Sequence, residues 1–227
     1  MNIKAFIFDL DGVIVFTDHF HYLAWKQMAD RMGIYFDEVI NNRLRGVSRM
    51  DSLEIILENY HGAPLSLEEK EGLAAEKNET YRELLKTMTP SEVADEVRET
   101  LTTLRSQGYK LAIGSSSKNA KFILEKVELL DYFDAISDGN NITKSKPDPE
   151  VFLKAAEFLN EKPENCIVVE DAYAGIDAAK AGNMRAAAIG DATSYKKTDF
   201  VLNSFKDLLD IHSWQLNPTI APINPKA

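Results

Sequence analysis

Two aspartates, Asp9 and Asp11, stand two residues apart at the end of the apolar run Ile3–Phe8, and Gly12 follows them. On a strand, residues i and i+2 share a face, so both carboxylates can enter one site. Gly12 allows the backbone to turn sharply away. Other polar groups follow other apolar runs: Ser115–Asn119 after Lys110–Ile113, Lys144 and Lys146 after Ala135–Ser137, and Glu170-Asp171 after Ile167–Val169. In an open α/β sheet, ligands bind outside the carboxyl ends of the strands. Four acids gathered there repel one another unless a positive group sits among them. Oxygen ligands of this kind suit a hard cation, Mg²⁺ above all, and the scarcity of His and Cys argues against zinc. Two neighbouring carboxylates can divide the labour of nucleophile and general acid/base, and attack on phosphorus gives an aspartyl-phosphate. The plainer alternative is that each acid merely ends a strand as a turn former. No Walker A sequence and no GxGxxG occurs, which counts against P-loop and dinucleotide enzymes.

The elements that must position these groups alternate. Runs at Ile3–Phe8, Lys110–Ile113, Ala135–Ser137, Ile167–Val169 and Arg185–Ile189 read as buried strands. Helical patterns lie between them at Val97–Ser106, Asn119–Glu128, Pro149–Leu159 and Ala174–Ala181, with Gly108 and Gly182 at expected C-caps. The pattern predicts an α/β fold with a doubly wound, mostly parallel sheet. The stretch 17–87 breaks the rhythm. It shows helical spacing alone, with one stripe of Phe20, Leu23, Ala24 and Met28 and another of Leu53, Ile56, Leu57 and Tyr60. We therefore expect a core domain of residues 1–16 and 88–216, an inserted α-helical domain at 17–87, and a loose tail at 217–227. A single larger domain with long crossover helices is the alternative.

The 227 residues carry 26 Lys+Arg against 36 Asp+Glu, a net charge of −10. That balance argues against nucleic acid as a partner. No apolar run approaches the roughly 20 residues that span a bilayer, and the chain starts on a strand-like segment without a signal-peptide pattern. One cysteine, Cys166, forms no internal disulfide and suits the cytoplasm; it reads as a small buried hydrophobe. A monomer acting on a small molecule is expected.

Phe8-Asp9-Leu10-Asp11-Gly12-Val13, Ser115, Lys146-Pro147 and Glu170-Asp171, in this order and spacing, resemble the four motifs of the haloacid dehalogenase superfamily. A narrower set is similar to the β-phosphoglucomutase subfamily: Thr17, His21 and Trp25; Leu44 to Arg49 with Asp51-Ser52-Leu53; Lys77-Asn78; Ser115 to Asn119; and Ser145-Lys146-Pro147. The resemblance implies a core of the superfamily's Rossmann-like kind, a helical cap inserted after the first strand, Mg²⁺ as cofactor and a sugar phosphate as substrate. The implied reaction interconverts β-D-glucose 1-phosphate and glucose 6-phosphate through a phosphorylated aspartate and a 1,6-bisphosphate.

The same resemblance implies the roles. Asp9 is the nucleophile and a metal ligand, Asp11 the general acid/base with its carbonyl toward the metal, and Glu170 and Asp171 complete the metal site. Ser115 and Lys146 hold the transferring phosphoryl group. Ser117, Lys118 and Asn119 open a helix whose N-terminus would take the second phosphate, with Arg49 as a bidentate fork. His21 and Trp25, at i and i+4, share one helix face, which the resemblance places over the active site. Gly46, Val47 and Ser48 form a loop contacting the sugar, with Ser52 and Lys77 as further contacts. Lys144, His19 and His212 read as surface residues. Two positions depart from the superfamily: Phe16 stands where an acid is common before the hinge, and Asp95-Glu96 where Pro-Gly is common. A sugar-phosphate phosphatase is the nearest rival, separated only by the cap residues. A non-catalytic binding module is the second rival, opposed by the intact set of acids, serine and lysine.

Overall fold

The computed structural model describes residues 2–44 and 47–210. The run that precedes Asp9 forms β1 (Ala5–Phe8), buried at all four residues as a strand covered on both faces must be. It lies inside a six-stranded sheet with β2 (Lys110–Gly114), β3 (Ala135–Ser137), β4 (Cys166–Glu170), β5 (Arg185–Ala188) and β6 (Phe200–Val201), in the order β3-β2-β1-β4-β5-β6. Every pairing is parallel. The chain winds outward from β1 to β3, then returns to the other side of β1 for β4. That reversal makes the crevice at the carboxyl ends of β1 and β4 a topological switch point. The register sets Phe8 opposite Ile113 on one side and Val169 on the other, so Asp9, Gly114 and Glu170 leave their strands at one level. The two-residue β6 was not expected from sequence.

The chain divides into two units: Thr17–Met88, and Met1–Phe16 together with the chain from Thr89 on. The first is wholly helical, with α1 (Asp18–Arg31), α2 (Glu38–Asn42), α3 (Arg49–Leu57) and α4 (Leu67–Leu85). Its helices start where local chemistry says they should. Asp37 accepts from the Ile40 N–H (2.9 Å), and Ser66 and Glu69 form a reciprocal capping box at 3.2 and 2.7 Å. The buried face of α1 is Ala24, Trp25, Met28 and Ala29, while Leu23 is exposed. The expected stripe is thus rotated, because Trp25, and not Leu23, enters the cluster with Met28, Ile34, Leu53 and Ile56. The second stripe holds at Leu53 and Ile56, but Tyr60 lies beyond the end of α3.

In the sheet unit the connecting helices are α5 (Asp95–Ser106), α6 (Ala120–Lys126), α7 (Glu150–Phe158) and α8 (Tyr173–Ala181). The last two supply small or aliphatic residues to the core with the sheet, such as Ala155 and Ala156 from α7 and Ile176 and Ala179 from α8. Gly108 takes the left-handed backbone after α5 (φ +86). Gly182 caps α8 at φ −84, and the left-handed step falls instead on Asn183 (φ 59). Cys166 is fully buried, as expected, and burial pushes its thiol up to about 12. No helix among the described residues is long and apolar enough to cross a membrane.

Candidate active site

Beyond Phe8 the chain leaves the sheet in a tight turn, with the Gly12 N–H donating to Val15 O (2.7 Å) and the Ile14 N–H to Leu10 O (3.0 Å). The Asp9 N–H is anchored on Val169 O at 2.9 Å. Its buried carboxylate accepts from the Lys146 ammonium at 2.5 Å, and the same ammonium reaches Glu170 Oε1 at 2.5 Å. The second oxygen of Glu170 accepts from the Ala172 N–H at 2.9 Å. Burial opposes the charge on Lys146, but Asp9 and Glu170 outweigh it and raise the ammonium above its ordinary value. Burial pushes Glu170 up, Lys146 resists, and Asp9 adds to the rise. Asp171 is pushed up to about 8, first by burial and then by Asp9, Glu170 and Asp11.

Lys146 and Pro147 stand in a turn with a cis peptide between them. The Lys146 ammonium also lies 4.8 Å from the centre of the Phe152 ring, whose face attracts a cation. Two glycines make room for the acids. A Cβ on Gly12 (φ +88) would stand 2.1 Å from Asp171 Oδ2, and one on Gly175 would stand 1.9 Å from Glu170 Cδ.

Among the described residues no three Asp, Glu, His or Cys side chains form a ready ligand cluster; Lys146 stands between two of the four expected acids. The donor set still fits a hard dication, since it offers oxygens alone and sets four carboxylates against one lysine. The upward push on Asp171 by three like charges is what a bound cation relieves. Glu170, with its oxygens on Lys146 and Ala172, suits a supporting place.

Ser115 is buried and its N–H donates to Ser137 O at 3.0 Å. The next amides are used locally. The Ser117 N–H donates to Ser115 Oγ and the Asn119 N–H to Ser117 Oγ, both at 3.2 Å. The helix expected to open at these residues starts just after them: α6 begins at Ala120, spans seven residues, and has Asn119 at its cap. Small hydroxyls bonding the backbone two residues on favour this turn over an earlier helix. Lys118 is exposed and Asn119 buried. Lys144 is exposed as expected.

The helical unit gathers a second group. His21 stacks on Tyr81, ring centres 4.0 Å apart, and its Nδ1 lies 2.8 Å from the buried Lys77 ammonium. That ammonium stands 4.7 Å from the Trp25 ring and 4.7 Å from the Tyr81 ring. Burial, then Lys77, then Arg49 hold the His21 imidazole well below its ordinary value, so the neutral ring accepts from the lysine. Arg49 donates to Asn78 Oδ1 at 2.8 Å, and burial lowers its guanidinium. Tyr81 donates to Thr17 Oγ1 at 3.0 Å. Ser48 caps α3, its Oγ accepting from the Asp51 N–H (3.2 Å) and donating to Asp51 Oδ2 (2.6 Å). Ser52 is buried, Val47 is exposed, and His19 lies at the surface. Gly46, His212 and the 217–227 tail lie outside the described residues.

Tyr81, Phe152, Gly175 and Glu150 were missed from sequence. An aromatic, a helical glycine or a glutamate at a helix start carries no signal of its own until its neighbour is known.

A family profile described as haloacid dehalogenase-like hydrolase matches residues 3–183. The chain is 41% identical over 207 residues to a β-phosphoglucomutase of Bacillus subtilis (strain 168), covering 90% of this chain and 91% of that protein. It is 30% identical over 221 residues to a phosphorylated carbohydrates phosphatase of Thermotoga maritima, covering 91% and 100%. The crystal structure of β-phosphoglucomutase from Clostridium difficile superposes with a TM-score of 0.87 at 40% identity, covering 96% of this chain and 99% of that one.

Proposed function

The chain belongs to the haloacid dehalogenase-like hydrolases, and on that premise we propose that it is a phosphomutase interconverting β-D-glucose 1-phosphate and glucose 6-phosphate. Asp9, carrying a phosphoryl group, donates it to a sugar hydroxyl while Asp11 accepts the hydroxyl proton. The product is a 1,6-bisphosphate, which turns end for end and returns its other phosphoryl group to Asp9. Lys146 and Ser115 hold the transferring oxygens by charge and by hydroxyl. Asp9, Asp171 and the Asp11 carbonyl, with Glu170 in support, would hold Mg²⁺, whose charge would offset that of the transferring oxygens. The enzyme acts as a monomer in the cytoplasm.

A phosphatase needs to bind one phosphate, whereas this reaction must hold two. The observation that carries the mutase reading is the second cationic group, Lys77 against neutral His21 with Arg49 beside it. It supplies charge for the phosphate that is not being transferred, with Trp25 beneath the lysine. The resemblance also assigns substrate contacts to Gly46, Val47, Ser48 and Ser52, and to Ser117, Lys118 and Asn119.

The test is conversion of β-D-glucose 1-phosphate with Mg²⁺ and a trace of the 1,6-bisphosphate. Glucose 6-phosphate should form, and Asp9→Asn should lose activity by at least about 10⁴-fold, as removal of a nucleophile does. Release of free phosphate without isomerisation would establish the phosphatase instead.

A further inference from the structure

The Lys146 ammonium must be held at one point between Asp9 and Glu170, yet it stands on a segment with no regular structure. Residues 138–149 join β3 to α7. Its near end is held by the loop after β2, with the Gly139 N–H donating to Ser117 O (3.2 Å) and Asn140 Nδ2 to Lys118 O (3.0 Å), while the part around Lys146 is fastened from α7. Glu150 Oε2 accepts from the Thr143 N–H (2.9 Å), the Thr143 hydroxyl (2.9 Å) and the Lys144 N–H (2.7 Å). Its other oxygen meets the Lys154 ammonium, one helical turn on, at 3.1 Å. Lys154 in turn donates to Asn141 O. The Glu150 N–H donates to Asp148 Oδ1 (3.0 Å), and the Asp148 N–H to Ser145 O (3.1 Å). The segment is thus tied on both sides of Lys146. The same helix brings Phe152 under the ammonium, and Phe152 is itself pressed on the sheet, since a Cβ on Gly114 would stand 2.5 Å from its Cδ1.

We propose that Glu150 is the positioning residue for Lys146, its carboxylate fixing the 143–144 backbone so that the lysine meets the transferring phosphoryl group in one pose. This rests on the reading of Lys146 as a phosphoryl-holding group. The amides of Thr143 and Lys144 hold the Glu150 carboxyl down to about 2, so the clamp stays charged through the neutral range. A charged acceptor receiving three hydrogen bonds is stronger than a neutral one. Glutamine in its place offers one acceptor oxygen and turns an NH₂ toward donors.

The experiment is a double-mutant cycle on the Mg²⁺-loaded full chain, read as affinity for orthovanadate, a phosphoryl mimic, by calorimetry. Lys146→Met should weaken vanadate binding at least tenfold. Glu150→Gln alone should weaken it five- to tenfold and lower kcat more than it raises KM. In the Lys146→Met background Glu150→Gln should have no further effect, because it acts only through the lysine. An equal effect in both backgrounds, or none in either, overturns the positioning role. Unchanged vanadate binding in Lys146→Met alone overturns the reading of Lys146 instead. Thr143→Val, which removes one hydroxyl donor and leaves the backbone intact, should give a smaller loss of the same kind and serves if Glu150→Gln fails to fold. Wild-type vanadate binding in Thr143→Val would then count against the clamp.

Discussion

The sheet rim and the helical unit each bury a lysine, and they do so in opposite ways. At the rim, Lys146 lies between two carboxylates that raise its ammonium, and burial first, then the neighbouring acids, push Asp171 up to about 8. In the helical unit, Lys77 faces two rings and an imidazole whose proton it helps to expel. Burying a charge costs several kcal/mol unless something answers it; at the rim the answer is opposite charge, in the helices it is π faces and a neutral base. The first arrangement invites a cation and an electrophilic phosphorus. The proposed reaction, which parks one phosphate while moving another, would draw on both arrangements.

Gly175→Ala breaks the rim half of this contrast most severely. Its Cβ would fall 1.9 Å from Glu170 Cδ, and Glu170 is already fixed by Lys146 and Ala172. Overpacking of this kind costs about 1–3 kcal/mol, and the displaced lysine should lower kcat/KM by roughly 10²-fold. Denaturant melts and steady-state kinetics on the variant measure both, and wild-type kinetics would remove Glu170 from the support of Lys146.

Lys77→Met sharpens the helical half. The His21 value should rise toward 6.5, though not to it, because burial is the larger cause and remains. Between the depressed value and 6.5 the unfolded chain binds a proton that the folded one refuses. Stability from this group is therefore complete above pH 6.5 and falls as pH drops below it, and the variant should flatten that fall. Imidazole NMR titration and melting against pH would follow it. KM for the sugar phosphate should rise about tenfold, near 1.4 kcal/mol. An unmoved His21 titration would mean that Lys77 does not act on the imidazole.

The smallest effect is Gly72→Ala in α4. Nothing lies within 4 Å of the added Cβ, so the gain should be about 0.5–1 kcal/mol from helix propensity alone. A melting temperature that rises in Gly72→Ala and falls in Gly175→Ala would separate a glycine kept by the acid rim from one that is merely tolerated.

Much of the rim was legible because the polar residues sit at the ends of apolar runs, and a parallel sheet places those ends along one edge. The helical unit was legible as helices but less so in its facing: Leu23 and Trp25 suit a 3.6-residue stripe almost equally, and only contact with Ile34, Leu53 and Ile56 decides between them. The two residues of β6 and the five of α2 are too short to carry a period.

The sequence by itself determined the α/β alternation, the run of helices between the first two strands, and the acids, serine and lysine that end the strands, because these follow from local periodicity and from where an apolar run stops. Tertiary structure alone decided that Lys146 stands between Asp9 and Glu170, that Lys77 meets His21, and that Glu150 turns back to hold Thr143 and Lys144. Hydrogen bonds and ion pairs require approach to within about 3 Å. Lys146 is 137 residues from Asp9, and Lys77 is 56 from His21; at such separations no local pattern encodes an approach, and only the packing of the intervening chain can make it.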